Sequence, residues 1–334
     1  MKECASNGSV IGIDRTFNLG ACYVTTMVYT NPNLVKKGKN TSPVMLGPVF
    51  LHWDGAFTTY CDFLSKIRSA LGFDLQVENL TFGTDEELAL INAIKTTFPG
   101  SNHILCSRHL QENALRNLTK FNVPESQKNA IVNSIFSSSG LLCANSKIMY
   151  LEKQQEILEK YHDILAFHYL SEKLLPTLFE KVFQPRLRNS KIPHLWKNNF
   201  CEAMNNKIKL IGDWRVSKLP QLIERLKEIQ ECQLMDVRGA LHGRGNFELA
   251  SPAKHLFVPH EAWIGMSEEQ RKKWMNKFFK FHPPSNTQSS TDGSLTIPST
   301  ARIAKKPGQV KRVRNAKTTS IPNKKLKIPV ASSQ

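Results

Sequence analysis

Three short segments, far apart in a chain of 334 residues, each place an acidic side chain where a two-metal nuclease would need one. They are Gly12-Ile13-Asp14-Arg15-Thr16, Phe82-Gly83-Thr84-Asp85-Glu86-Glu87 and Asn198-Asn199-Phe200-Cys201-Glu202-Ala203-Met204-Asn205-Asn206. Asp14 and Asp85 stand at the ends of apolar runs that read as strands, and Glu202 lies in a helical pattern. A carboxylate at a strand end is held rigidly at the rim of a sheet. Three converging there repel one another strongly unless divalent cations neutralise them.

Each residue also has a plainer role open to it. Asp14 could simply open a turn. Asp85 could cap the helix that follows, with Glu86 and Glu87 as first-turn acids favoured by the helix dipole. Asp54, in His52-Trp53-Asp54-Gly55, reads as a turn residue and is left out of the site. Around Glu202, a helix places Asn198, Glu202, Asn205, Asn206 and Lys209 on one side. Phe200, Ala203, Met204, Ile208 and Ile211 form its apolar remainder. That amide-lined face suits metal-bound water or a phosphate strand, or else it is an exposed polar face. Cys106 and His109 form a C-x-x-H pair, which as a zinc site would need two further ligands. Cys61, His103, His194 and Cys201 are candidates, but none stands in a paired spacing. His109, near a helix start, could instead organise the cleft or be a hydrogen-bonded, half-buried histidine.

The elements that must position these residues follow from periodicity. Val10-Ile11-Gly12-Ile13 predicts a strand running into Asp14. The stretch 21–29 is rich in β-branched and aromatic residues, a second strand. A loop over 36–43 precedes a third at 44–51, whose Pro48 indicates an edge, a bulge or a strand start. Tyr60, Phe63, Leu64, Ile67 and Leu71 form the apolar stripe of a helix over 56–71, stopped by Gly72. A strand at 80–82, a helix over 86–98, a strand at 103–106 and a helix through His109 complete the order β-β-β-α-β-α-β-α. Strand signals then vanish from 124 to 193. There, 150–175 reads as a long amphipathic helix interrupted before Pro176. Further helices are expected at 219–235 and 267–281.

This pattern divides the chain into a first α/β part over 9–123, a helical insertion over 124–193, a catalytic helix with C-terminal helices over 194–250, a helical extension over 251–283 and a basic tail over 284–334. The tail's Ser, Thr, Pro and Lys content predicts disorder. The net charge is +17, and ten basic residues without one acid fall between Arg302 and Lys327. Such a chain favours polyanions, although the tail could also be a solvated segment with no specific partner. No apolar run reaches membrane-span length and none resembles a signal peptide, which predicts no membrane partner and an intracellular protein. Lys305-Lys306, Lys311-Arg312-Val313-Arg314 and Lys324-Lys325-Leu326-Lys327 predict nuclear import and DNA contact.

With its acids on the first strand, after the fourth and on a final helix, the chain resembles the ribonuclease-H-like fold. Within that fold it resembles the MULE (Mutator-like element) transposases over about 10–209. Asp14-Arg15-Thr16 is similar to the family's first Asp-x-Thr signature, and Thr84-Asp85-Glu86-Glu87-Leu88-Ala89-Leu90-Ile91 to its second-acid segment. Leu105-Cys106-Ser107-Arg108-His109-Leu110 is similar to its Cys-x-x-His block. Asn199-Phe200-Cys201-Glu202-Ala203-Met204-Asn205 is similar to the third block, with Ala203 where the family often has Ser. The helical insertion is also what this family and the related hAT transposases imply.

The resemblance implies a DDE-type transposase catalytic domain in which Asp14, Asp85 and Glu202 hold two Mg²⁺ or Mn²⁺ ions. It implies cleavage of element ends and strand transfer into target DNA. Asn206, Lys209 and the tail residues Lys311, Arg312 and Arg314 would contact the DNA backbone. Joining two ends favours a homo-oligomer. The family usually carries an N-terminal zinc-finger-type reader, and a chain that starts almost at the first catalytic strand is expected to be either a fragment of a longer reading frame or one whose end recognition has been lost or handed elsewhere. The alternative expectation is a transposon-derived nuclear DNA- or chromatin-binding protein without turnover; a third is a structure-selective nuclease on the same fold.

Overall fold

The structure, a computed structural model, describes residues 4, 7–17, 19–72 and 77–282, and the backbone of 288–289 and 295–296. The chain divides into two compact units, Met1–Pro284 and Ser285–Gln334. In the second, Gln288–Ser289 and Leu295–Thr296 pair as a short antiparallel ribbon. The rest of the tail, with Lys311, Arg312 and Arg314, lies outside the described residues, as does the disorder expected there.

The first unit is α/β, built on a mixed five-stranded sheet. In chain order its strands are β1 (Val10–Thr16), β2 (Tyr23–Thr30), β4 (Val44–His52), β5 (Thr81–Thr84) and β6 (Asn102–Leu105), arranged β4-β2-β1-β5-β6. β2 runs antiparallel to both β1 and β4, while β1, β5 and β6 are mutually parallel. Pro48 lies in β4, an edge strand, where its missing N–H costs no ladder bond. The Gln233 carboxamide bonds the backbone N–H and C=O of Leu46 at 2.7 and 3.2 Å, closing part of that open edge.

Two strands of the first unit were not expected from the sequence. β3 (Leu34–Lys36) pairs with β7 (Phe247–Leu249) as a separate antiparallel ribbon, so 44–52 is the fourth strand in the chain. Leu34, Leu249, Val237, Leu241, Trp263 and Phe278 form a core beneath this ribbon.

Strand alternation sends β1 side chains to two different layers. Ile11 and Ile13 pack with Phe82 against α1 (Phe57–Leu71) and α2 (Leu88–Thr97), burying Tyr60, Phe63, Leu64, Leu90 and Ile94. Each such side chain contributes roughly 2 kcal/mol of transfer free energy. On the opposite face Val24, Val28 and Leu46 meet α7 (Asn199–Ile211) and α8 (Leu219–Leu241) through Cys201, Met204, Ile208, Leu222 and Leu226.

Between the two strand-and-helix segments lies a helical body with its own core. α3 (Ser107–Lys120) leaves β6 and is followed by α4 (Glu125–Phe136), α5 (Lys147–Lys160) and a continuous rod over 167–188, α6. Tyr150 and Phe183 sit in this core with ring centroids 4.3 Å apart. In place of the single helix expected over 150–175 there are two, α5 and α6. The chain breaks after Lys160 and then runs on through Pro176 and Pro185. π turns at Leu170–Leu174 and Phe179–Phe183 precede the two prolines. A wider i→i+5 turn removes the demand for the N–H that proline lacks. Two short helices, α9 (His260–Gly265) and α10 (Glu268–Phe279), end the unit, the latter capped reciprocally by Ser267 and Gln270.

Candidate carboxylate site

Parallel pairing of β1 with β5 sets Gly12 opposite Gly83. Asp14 lies two residues beyond the first glycine and Asp85 two beyond the second, so both acids lie towards the same end of the parallel strands. Asp14 shares Gly12's face by the two-residue strand period.

The glycines also admit the third acid. A Cβ on Gly83 would stand 2.3 Å from Trp196 Cη2; one on Gly12 would stand 2.8 Å from Cys201 Sγ and 3.0 Å from Asn198 Oδ1. The bare backbone is therefore the seat of the segment that leads into α7. That segment is pinned from its other side. The Trp196 carbonyl accepts the Ser107 N–H at 2.9 Å and the Ser107 hydroxyl at 2.8 Å, while the Asn198 N–H donates to Cys106 Sγ at 3.3 Å. Glu202, in the first turn of α7, consequently faces Arg108, in the first turn of α3.

Two sets of polar contacts hold the three acids, one at Asp14 and one joining Glu202 to Asp85. Asn205, one turn after Glu202, donates from Nδ2 to Asp14 Oδ2 at 2.8 Å, and its Oδ1 accepts from the Thr26 hydroxyl at 3.2 Å. Arg108 donates through Nη1 to Glu202 Oε2 at 2.9 Å and through Nη2 to Oε1. Nη2 also lies 3.3 Å from His109 Nε2, and His109 Nδ1 lies 2.5 Å from Asp85 Oδ1. If Nε2 accepts from the guanidinium, the imidazole proton resides on Nδ1 and is donated to Asp85.

The electrostatics follow from this crowding. Burial, then the charge of Asp85, raises the Asp14 carboxyl from 3.8 to about 7. A backbone hydrogen bond and His109 oppose that rise, while Glu202 adds to it. The Cys201 thiol is driven well up by burial and by the same carboxylates, so it serves as a packing group rather than a nucleophile. Arg108 is raised by its hydrogen bond to Glu202.

Asp85 also belongs to a second constellation. Its carboxylate, Cys106 Sγ and a ring nitrogen of His109 lie within 4.8 Å of one another and could hold a metal ion. None of Cys61, His103, His194 and Cys201 joins that group; the third donor is Asp85. Asp85 thus stands between a hard set of carboxylate oxygens and a softer thiol–imidazole set.

Several readings of individual residues change. The N-cap of α2 is Glu87, so Asp85 caps no helix, and Glu86 and Glu87 precede the first turn instead of lying in it. Asp54 accepts from Ala56 N–H and the Thr59 hydroxyl, in keeping with its turn role. On α7 the buried face is Cys201, Met204, Asn205 and Ile208, with Asn198 just before it; Phe200 and Ala203, expected to be apolar filling, face solvent. Asn206 is exposed and Lys209 half-buried. The amide that reaches the acids is Asn205. Arg108, between the two residues of the C-x-x-H pair, carries no sequence signal beyond its position in that block.

No family model and no curated protein matches this chain. No described helix is long and apolar enough to cross a membrane.

Proposed function

We propose that this chain is a DDE-type transposase catalytic domain of MULE type, cleaving and joining DNA with divalent cations held by Asp14, Asp85 and Glu202. The sheet supports the ribonuclease-H-like reading: β1, β5 and β6 run together, β2 runs against β1, and Asp14 and Asp85 lie towards the same end of the central strands β1 and β5. The observation that carries the reading is the joint setting of the three carboxylates. They come from a strand, a strand end and a helix, Arg108 and His109 link Glu202 to Asp85, and burial together with the charges of Asp85 and Glu202 pushes Asp14 to about 7. Burial is the larger cause of that shift and the neighbouring carboxylates the next, and a bound cation would oppose both by favouring the charged form.

The donor set fits the implied cofactor, since three carboxylates offer hard oxygens suited to Mg²⁺ or Mn²⁺. When bound, two such ions would activate the attacking oxygen and stabilise the leaving oxygen at phosphorus. The chain's own residues orient that site. Asn205 fixes Asp14, Thr26 fixes Asn205, and His109 holds Asp85 with a proton at Nδ1. A basic tail adds nuclear import and sequence-independent attraction to DNA. A homo-oligomer would bring two DNA ends together.

The pairing of Glu202 with Arg108 and of Asp85 with His109 favours a second reading, a DNA-binding protein without turnover. Nicking of supercoiled plasmid in Mg²⁺ or Mn²⁺ separates them. Wild type should convert plasmid to open circles, and Glu202→Gln should lose at least about a hundredfold of that rate, the scale of removing one electrostatic catalytic group. Equal rates in the two proteins, or none in wild type, would favour the second reading.

A further inference from the structure

Arg108 occupies an unusual position between two carboxylates. Its fork binds both oxygens of Glu202, with Nη1 to Oε2 at 2.9 Å, while Nε lies 3.5 Å from Glu112 Oε1 one turn further along α3. The Arg108 side chain is 38% exposed and that of Glu112 is 53% exposed, so this side of the site is open to solvent. Both Glu202 oxygens are already engaged. For Glu202 to serve a cation, the guanidinium must give way.

We propose that Arg108 is a resident counter-cation: Glu202 exchanges it for a divalent ion, and the released guanidinium turns to the DNA backbone. This rests on the reading of Asp14, Asp85 and Glu202 as cation-binding acids. Glu202 trades one positive partner for another, so its charge is compensated throughout. Glu112 retains Arg108 near the site during the exchange. The freed planar fork then matches a pair of phosphate oxygens, a geometry that lysine cannot reproduce. Arg108 is in this account a positioning residue that offsets the charge of Glu202 until a cation arrives and links cation loading to DNA engagement.

The test is calorimetric titration of Mn²⁺ into the full chain, comparing wild type, Arg108→Gln and Asp85→Asn. It is paired with fluorescence anisotropy of a short duplex at saturating Mn²⁺. Removing a competing charge-assisted pair should tighten Mn²⁺ binding by Arg108→Gln about tenfold. The same variant should bind the duplex about tenfold more weakly, with a salt slope smaller by about one. A variant that is merely misfolded loses both affinities, and that result overturns the exchange. Mn²⁺ affinity equal to wild type also overturns it while leaving the carboxylate reading intact. Mn²⁺ binding by none of the three proteins, or unaltered binding by Asp85→Asn, removes both.

Discussion

Gly12 of β1 and Gly83 of β5 are register partners, and together they bare the strip of sheet on which Trp196 and Cys201 rest. The acids Asp14 and Asp85 follow at the same offset from their glycines, and Glu202 follows Cys201 directly. Close backbone approach at one pair of residues therefore sets how near the third acid comes to the first two.

Gly83→Ala tests that relationship. The new methyl would meet the Trp196 ring at 2.3 Å, so the indole must shift. Overpacking of this kind costs about 1–3 kcal/mol, and the displaced segment carries Glu202 with it. Urea denaturation should show a lower midpoint for Gly83→Ala, together with weakened Mn²⁺ binding. An unchanged midpoint and unchanged binding would mean that the segment does not position Glu202.

Acid lability should arise at His103. It is buried in β6, its Nε2 lies 2.8 Å from the Thr84 hydroxyl, and burial holds it down from 6.5 to about 3, with the charges of Lys181 and Lys95 adding to the effect. The unfolded chain therefore binds a proton that the folded chain refuses between those values. Stability from this residue is complete above pH 6.5 and is lost progressively as pH falls towards 3, by at most about 1.4 kcal/mol per pH unit. Urea midpoints at pH 7 and pH 5 should diverge less in His103→Gln than in wild type. Identical pH slopes would exclude His103 as the source.

The two strands that carry the first acids were legible in the sequence because Ile11 and Ile13, and Leu80 and Phe82, are apolar residues followed closely by an acid, although β1 runs on past Asp14 to Thr16. The helix stripe from Tyr60 to Leu71 was legible from its spacing. What was not legible depends on contacts distant in the chain. The ribbon of Leu34–Lys36 with Phe247–Leu249 joins segments whose local patterns are too short to announce a strand. Pro176 reads as a helix stop until the packing of the rod against Tyr150 makes a π turn the better solution. On α7, Phe200 looks like core and Asn205 like surface, yet the bare backbone at Gly12 turns the helix the other way. Nothing in Ser107-Arg108-His109 tells which carboxylate Arg108 will grip.

The central claim is that three carboxylates, and not the neighbouring thiol and imidazole, form the cation site. Calorimetric titration of Mn²⁺ into wild type, Asp14→Asn, Glu202→Gln and Cys106→Ser tests it most directly. The account predicts binding by wild type, affinity reduced at least about tenfold in Asp14→Asn and Glu202→Gln, the scale of losing one charged partner, and little change in Cys106→Ser. Full binding by Asp14→Asn and Glu202→Gln, with loss in Cys106→Ser, would contradict it and assign the ion to Asp85, Cys106 and His109.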